Sequence, residues 1–192
     1  MSNATDQGIS QRDDTAKPFN IKPQAVRSEL WLDLEDTIIT PVINGWHNFE
    51  VINLDKILLV MESFAPHSVN VFSFAIWNQH QLALFNTNAR PCIERALGIS
   101  FNIVPTVDDH IIPWCCKELG ISPSVVDFQE MSAFWGKQGT FRLAMRQHAK
   151  QLREYHPCQN LHLLLLDDVV FNERLKWPDL QTVVEQRNIH QL

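Results

Sequence analysis

The stretch Leu30-Trp31-Leu32-Asp33-Leu34-Glu35-Asp36-Thr37 decides the fold, together with a later partner, Leu161-His162-Leu163-Leu164-Leu165-Leu166-Asp167-Asp168. Each is a short apolar run that breaks into acidic residues. A run of this length without polar alternation fits a strand covered on both faces, which is how strands sit in a parallel sheet. The acids then fall at the carboxyl ends of their strands, where open α/β sheets bind ligands.

The segments between these runs supply the rest of an α/β chain. Ile38 to Val51 is broken by Asn44-Gly45, whose readiness for positive φ predicts a β-hairpin. Leu54, Ile57, Leu58, Met61 and Phe64 are spaced as one face of a helix, and Val69 to Trp77 reads as a second buried strand with Ser73 in its later half. A helical region from about Gln81 to Leu97 follows, closed by Gly98, and Ile99 to Val104 reads as a third strand. Pro113, Gly120 and Pro123 divide Ile111 to Trp135 into short helices. Thr140 to Tyr155 carries an apolar stripe of Phe141, Leu143, Ala144, Ala149 and Leu152, with Lys137 just before it. Leu161 to Leu166 is the fourth strand and Thr182 to Glu185 the fifth. Strands alternating with helices predict a doubly wound parallel sheet with helices on both faces. Residues 1–28 are polar and lack periodicity, so we expect a tail there and a single domain over 29–192.

Bulk properties narrow the function classes. The 192 residues suit one domain with a real core, and the 45% hydrophobic content is ordinary for a globular protein. A net charge of −6 opposes a broad nucleic-acid surface, which needs excess Lys and Arg. No apolar stretch reaches the ~20 residues of a membrane span. Cys92, Cys115, Cys116 and Cys158 lack CxxC spacing and read as reduced thiols, so a cytoplasmic location is expected. His156, Cys158 and His162 lack the paired spacing of a zinc site.

Two strands distant in sequence bring Asp33, Glu35 and Asp36 toward Asp167 and Asp168. Converging carboxylates repel unless a cation neutralises them, and hard oxygen ligands suit Mg²⁺, which favours a few carboxylates plus a substrate phosphate.

Asp33-Leu34-Glu35-Asp36-Thr37 resembles the first motif of the haloacid dehalogenase-like superfamily: Asp, any residue, Asp, commonly Gly, then Thr or Val. Ser73 after Val69-Asn70-Val71-Phe72, Lys137 before a helix, and Asp167-Asp168 after a Leu-rich strand resemble its second, third and fourth motifs, in the family's order. The resemblance implies a Mg²⁺-dependent phosphohydrolase acting on a phosphorylated substrate. Asp33 would be the nucleophile and Glu35 the general acid and base. Ser73, the neighbouring Phe74 backbone N–H and Lys137 would hold the phosphoryl group, with Lys137 also balancing the charge of Asp33. Asp33, Glu35 through its carbonyl, Asp167 and Asp168 would hold Mg²⁺.

Two positions depart from the pattern. Glu35 stands where the family has Asp, extending the carboxyl by ~1.5 Å. Asp36 replaces the common Gly and adds charge. The alternative is therefore a scaffold that has lost turnover and serves as a binding or regulatory protein. Between the first two motifs there is room for a small flap with Trp46 near its tip, and none for a large cap. The resemblance associates such openness with bulky substrates or with closure by a partner subunit in a homo-oligomer.

Overall fold

The computed structural model describes residues 26–42, 45–157 and 159–192. Five strands form one sheet: β1 (Val26–Leu32), β2 (Ser68–Val71), β3 (Asn160–Asp167), β4 (Glu173–Trp177) and β5 (Thr182–Asn188), in the order β2-β1-β3-β5-β4. All neighbours are parallel except β4, which runs antiparallel to β5 at one edge. The helices are α1 (Leu54–Phe64), α2 (Gln79–Asn88), α3 (Arg90–Leu97), α4 (Ile112–Leu119) and α5 (Phe128–Tyr155). None is long and apolar enough to cross a membrane.

Strand alternation sorts these helices into two layers. Leu30 and Leu32 of β1 with Leu164 and Leu166 of β3 pack against Ile57, Phe85 and Ile93 of α1, α2 and α3. The residues between them, Trp31, Leu163 and Leu165, face the opposite way onto Cys115 of α4 and Phe141 and Met145 of α5. Both sides of the central strands are covered, which is why their sequences read as continuous apolar runs. One charged group is taken into the second layer: Glu29 pairs with His148 Nε2 at 2.8 Å, and His148 and Arg27 hold its carboxyl below the usual value despite burial.

Several expected elements are shifted. β1 begins at Val26, so residues 26–28 belong to the sheet and not to a tail, while residues 1–25 lie outside the described residues. β2 stops at Val71, which leaves Ser73 in the loop beyond it. The long helix expected over 81–97 is two helices, because Pro91 has no N–H to continue α2 and sits instead in the first turn of α3. Ile99 to Val104 is reduced to a bridge between Phe101 and Val69 with two flanking bonds to β2. α5 begins at Phe128, twelve residues before Thr140, and is interrupted at Gly136. The antiparallel β4 has no counterpart among the expected elements, although Glu173, Leu175 and Trp177 alternate there with Arg174 and Lys176.

The excursion after β1 is hairpin-like at its base, where Thr40 N–H donates to Glu50 O and Ile52 N–H to Ile38 O. Its expected turn at Asn44 lies outside the described residues. Trp46 is not a mobile tip. It is 2% exposed, its indole N–H donates to Gln81 Oε1 at 3.1 Å, and its ring meets Phe85 edge-on. Burying so large an apolar surface outweighs leaving it on a flap.

Candidate active site

The chain leaves β1 for β2 on one side and returns to β3 on the other, so the carboxyl end of β1 is the point where strand order reverses. Parallel hydrogen bonding persists one residue past the strands there. Asp33 N–H donates to Leu166 O at 3.0 Å and Phe72 N–H to Leu32 O at 2.9 Å. These bonds hold Asp33, the end of β3 and the Ser73 loop in one register.

The turn after Asp33 is compact. Ile38 and Ile39 N–H both donate to Leu34 O, and Asp36 N–H donates to Ile39 O. Closing it puts Asp36 at φ +57°, the left-handed conformation that Gly adopts freely and that Asp tolerates better than most side chains. Asn53, at the start of α1, donates to Thr37 O at 3.0 Å and ties the turn down.

Asp33, Asp167 and Asp168 each offer a carboxylate oxygen, all within 4.8 Å of one another. Asp33 and Asp167 are buried and Asp168 is half-buried. Lys137 Nζ contacts Asp33 Oδ1 and lies 3.0 Å from Asp167 Oδ2. The other Asp167 oxygen accepts from Val169 N–H at 2.8 Å. Lys137 arrives there because α5 is broken at Gly136, whose φ of +60° and ψ of −177° are reserved for glycine. The break starts a new helical segment at Lys137, so the lysine opens that segment, whereas the expected helix began after it at Thr140. Lys150, further along α5, is not part of this group and pairs with Glu118 of α4.

Three carboxylates facing one ammonium leave negative charge in excess, and the acids respond. Burial, opposed by Lys137 and aided by Asp167, pushes the Asp33 carboxyl up from 3.8 to about 6. Burial and the charge of Asp167 also raise Asp168. Burial works against the Lys137 ammonium, but Asp33 and Asp167 outweigh it and hold its pKa above the usual lysine value. A cation between the acids would relieve this excess. The oxygen donors suit hard cations as a class and do not single out Mg²⁺ from Ca²⁺ or Mn²⁺.

The remaining expected residues are arranged around this group. Ser73 is buried, and its hydroxyl accepts from Ala75 N–H at 3.3 Å. The Phe74 ring lies beside the lysine, 5.4 Å from Nζ to its centroid, a cation–π contact. Glu35 is not among the clustered acids: its Oε1 accepts from Val42 N–H at 2.9 Å. Its side chain therefore faces the base of the excursion.

Asn188 was not anticipated. Its side-chain amide donates to Asp168 O at 2.7 Å and Val170 O at 3.0 Å, fastening the loop that carries Asp168. An Asn at a strand end carries no local signal of that role. Compared with protein-family models, with curated proteins and with solved structures, the chain matches none.

Proposed function

We propose that the protein is a phosphohydrolase of the haloacid dehalogenase-like type, built on a Rossmann-like sheet and acting on a phosphomonoester with Mg²⁺. The observation that carries this reading is Lys137 reaching Asp33 and Asp167 at once, with Asp168 completing the carboxylate group at the strand-order switch point. A lysine that only neutralised surface acids would not be delivered by a glycine break into a buried cluster.

In this reading Asp33 attacks phosphorus. An Asp33 oxygen bonds to phosphorus as the ester P–O bond breaks, and the departing oxygen takes a proton from Glu35. Water then gives a proton back to Glu35 and cleaves the aspartyl-phosphate, releasing phosphate and Asp33. Lys137 and the Ser73 hydroxyl stabilise the phosphoryl oxygens, and Lys137 keeps Asp33 ionised against the effect of burial. A divalent ion held by Asp33, Asp167 and Asp168 would supply further charge neutralisation to the phosphoryl group.

A second reading, a scaffold that binds a phosphorylated ligand without turnover, is favoured by the Glu35–Val42 hydrogen bond, which holds the Glu35 carboxyl off the cluster. Phosphate release in Mg²⁺ from sugar phosphates, nucleotides and aryl phosphates separates the two. Release that disappears in a folded Asp33→Asn variant supports the hydrolase; release that persists removes Asp33 from the mechanism.

A further inference from the structure

Glu35 lines a cleft of about 270 Å³ whose walls come from the segments that follow Asp33 and Ser73. Glu35 and Trp46 come from the excursion after β1, Ala75 and Trp77 from the loop after β2, and Gln81 from the first turn of α2. Glu35 is two residues beyond Asp33, and Ala75 is hydrogen-bonded to Ser73. If Glu35 protonates the leaving oxygen, as in the function proposed above, whatever hangs from that oxygen occupies this cleft.

The lining selects among leaving groups. Trp77 is 39% exposed, a large apolar ring that the fold leaves uncovered at the cleft wall. Edge-on contact with Phe128, at 4.5 Å between centroids, holds it as a rigid platform. Gln81 Oε1 is occupied by the Trp46 indole, which fixes the orientation of the amide. Its Nε2 then has no partner among the described residues and stands as a donor in the wall. The volume is below the ~300–1,000 Å³ of pockets for drug-sized ligands, so it suits about one ring system.

We infer that this cleft is the leaving-group subsite, and that it takes a planar aromatic ring bearing a hydrogen-bond acceptor: Trp77 supplies the stacking surface and Gln81 the donor. The favoured substrates are then heteroaryl phosphomonoesters over sugar or polyol phosphates.

Calorimetric binding of phosphonates to the full chain in Mg²⁺ tests this without requiring turnover. Benzylphosphonate and cyclohexylmethylphosphonate share size and charge and differ in planarity, while 3-pyridylmethylphosphonate adds the acceptor. Wild type should bind benzylphosphonate about three- to tenfold more tightly than the cyclohexyl analogue. It should bind the pyridyl compound more tightly still. Trp77→Leu should erase the first difference. Gln81→Glu, which keeps the acceptor for Trp46 and removes the donor, should erase the second. Equal affinity for the two rings, or a preference that survives Trp77→Leu, overturns the inference and leaves the phosphohydrolase reading standing. Binding of neither phosphonate nor inorganic phosphate overturns both.

Discussion

Asp36 occupies a position the turn requires to be left-handed, and it pays there twice: in backbone strain at φ +57° and in charge, since it adds a small push to the Asp168 carboxyl that burial and Asp167 already raise. Asp36→Gly relieves both, so we expect it to raise stability by ~0.5–1 kcal/mol. Urea denaturation checks this, and a loss of stability would mean that the Asp36 side chain holds the turn. Asp33 shows the larger electrostatic effect. A carboxyl at about 6 in the folded chain and near 3.8 when free binds its proton more tightly when folded. Its ionisation therefore penalises folding above pH 6, and the penalty vanishes below about 4. Asp33→Asn should raise the melting temperature in chelator at pH 7 to 8 by several degrees, with a ceiling of ~3 kcal/mol, and the gain should disappear at pH 4. A gain independent of pH would locate its cause outside this ionisation. The identities of these residues were legible because acids at the ends of apolar runs are conspicuous. Their conformations were not, since φ at Asp36 and the Glu35–Val42 bond depend on how the excursion folds back.

At the scale of elements, α5 carries the most chemistry for its length. Its first segment packs Phe128 against Phe74 and Trp77, and its second packs Phe141 and Met145 under the sheet. Gly136 lets the two meet at the angle that aims Lys137 at Asp33. Thr140 steadies the break by donating from its hydroxyl to Gly136 O at 2.7 Å. A Cβ added at Gly136 meets nothing within 4 Å, so Gly136→Ala is strained by its backbone and not by a clash. The helix should respond by straightening, which displaces the ammonium. We expect phosphate release to fall at least ~100-fold while far-UV helicity holds or rises. Unchanged release would show that Lys137 reaches the site without the break. Sequence periodicity revealed the second segment but not the first, because Phe128 to Trp135 has few buried positions, Met131 among them, and so little amphipathic pattern. β4 escaped for a related reason: an edge strand of five residues packs on one face only and resembles a loop unless its alternation is weighed.

The molecule as a whole creates the site, because Asp33 and Asp167 are 134 residues apart in sequence and meet only when β1 and β3 pair. The unfolded chain has no comparable cluster, so a divalent cation binds the native state alone and stabilises it by RT ln(1 + [L]/Kd), about 2.7 kcal/mol at 100 times Kd. The melting temperature should rise with Mg²⁺ at fixed ionic strength, with Na⁺ replacing it in the control so that general screening does not imitate binding. Asp168→Asn sharpens the test. It removes one ligand oxygen and one charge from a group in which the carboxylates outnumber the single ammonium, so the variant should respond less to Mg²⁺ and need be no less stable in chelator. Asp179→Asn, which loses an exposed carboxylate paired with Arg146 far from the cluster in the fold, should respond as wild type does. Competition among Mg²⁺, Ca²⁺ and Mn²⁺ in the same assay ranks the hard cations that the donor set admits. Superimposable curves for wild type and Asp168→Asn, with no shift beyond the Na⁺ control, would reduce the three acids to a lysine-bridged structural knot and remove the cofactor from the proposed chemistry.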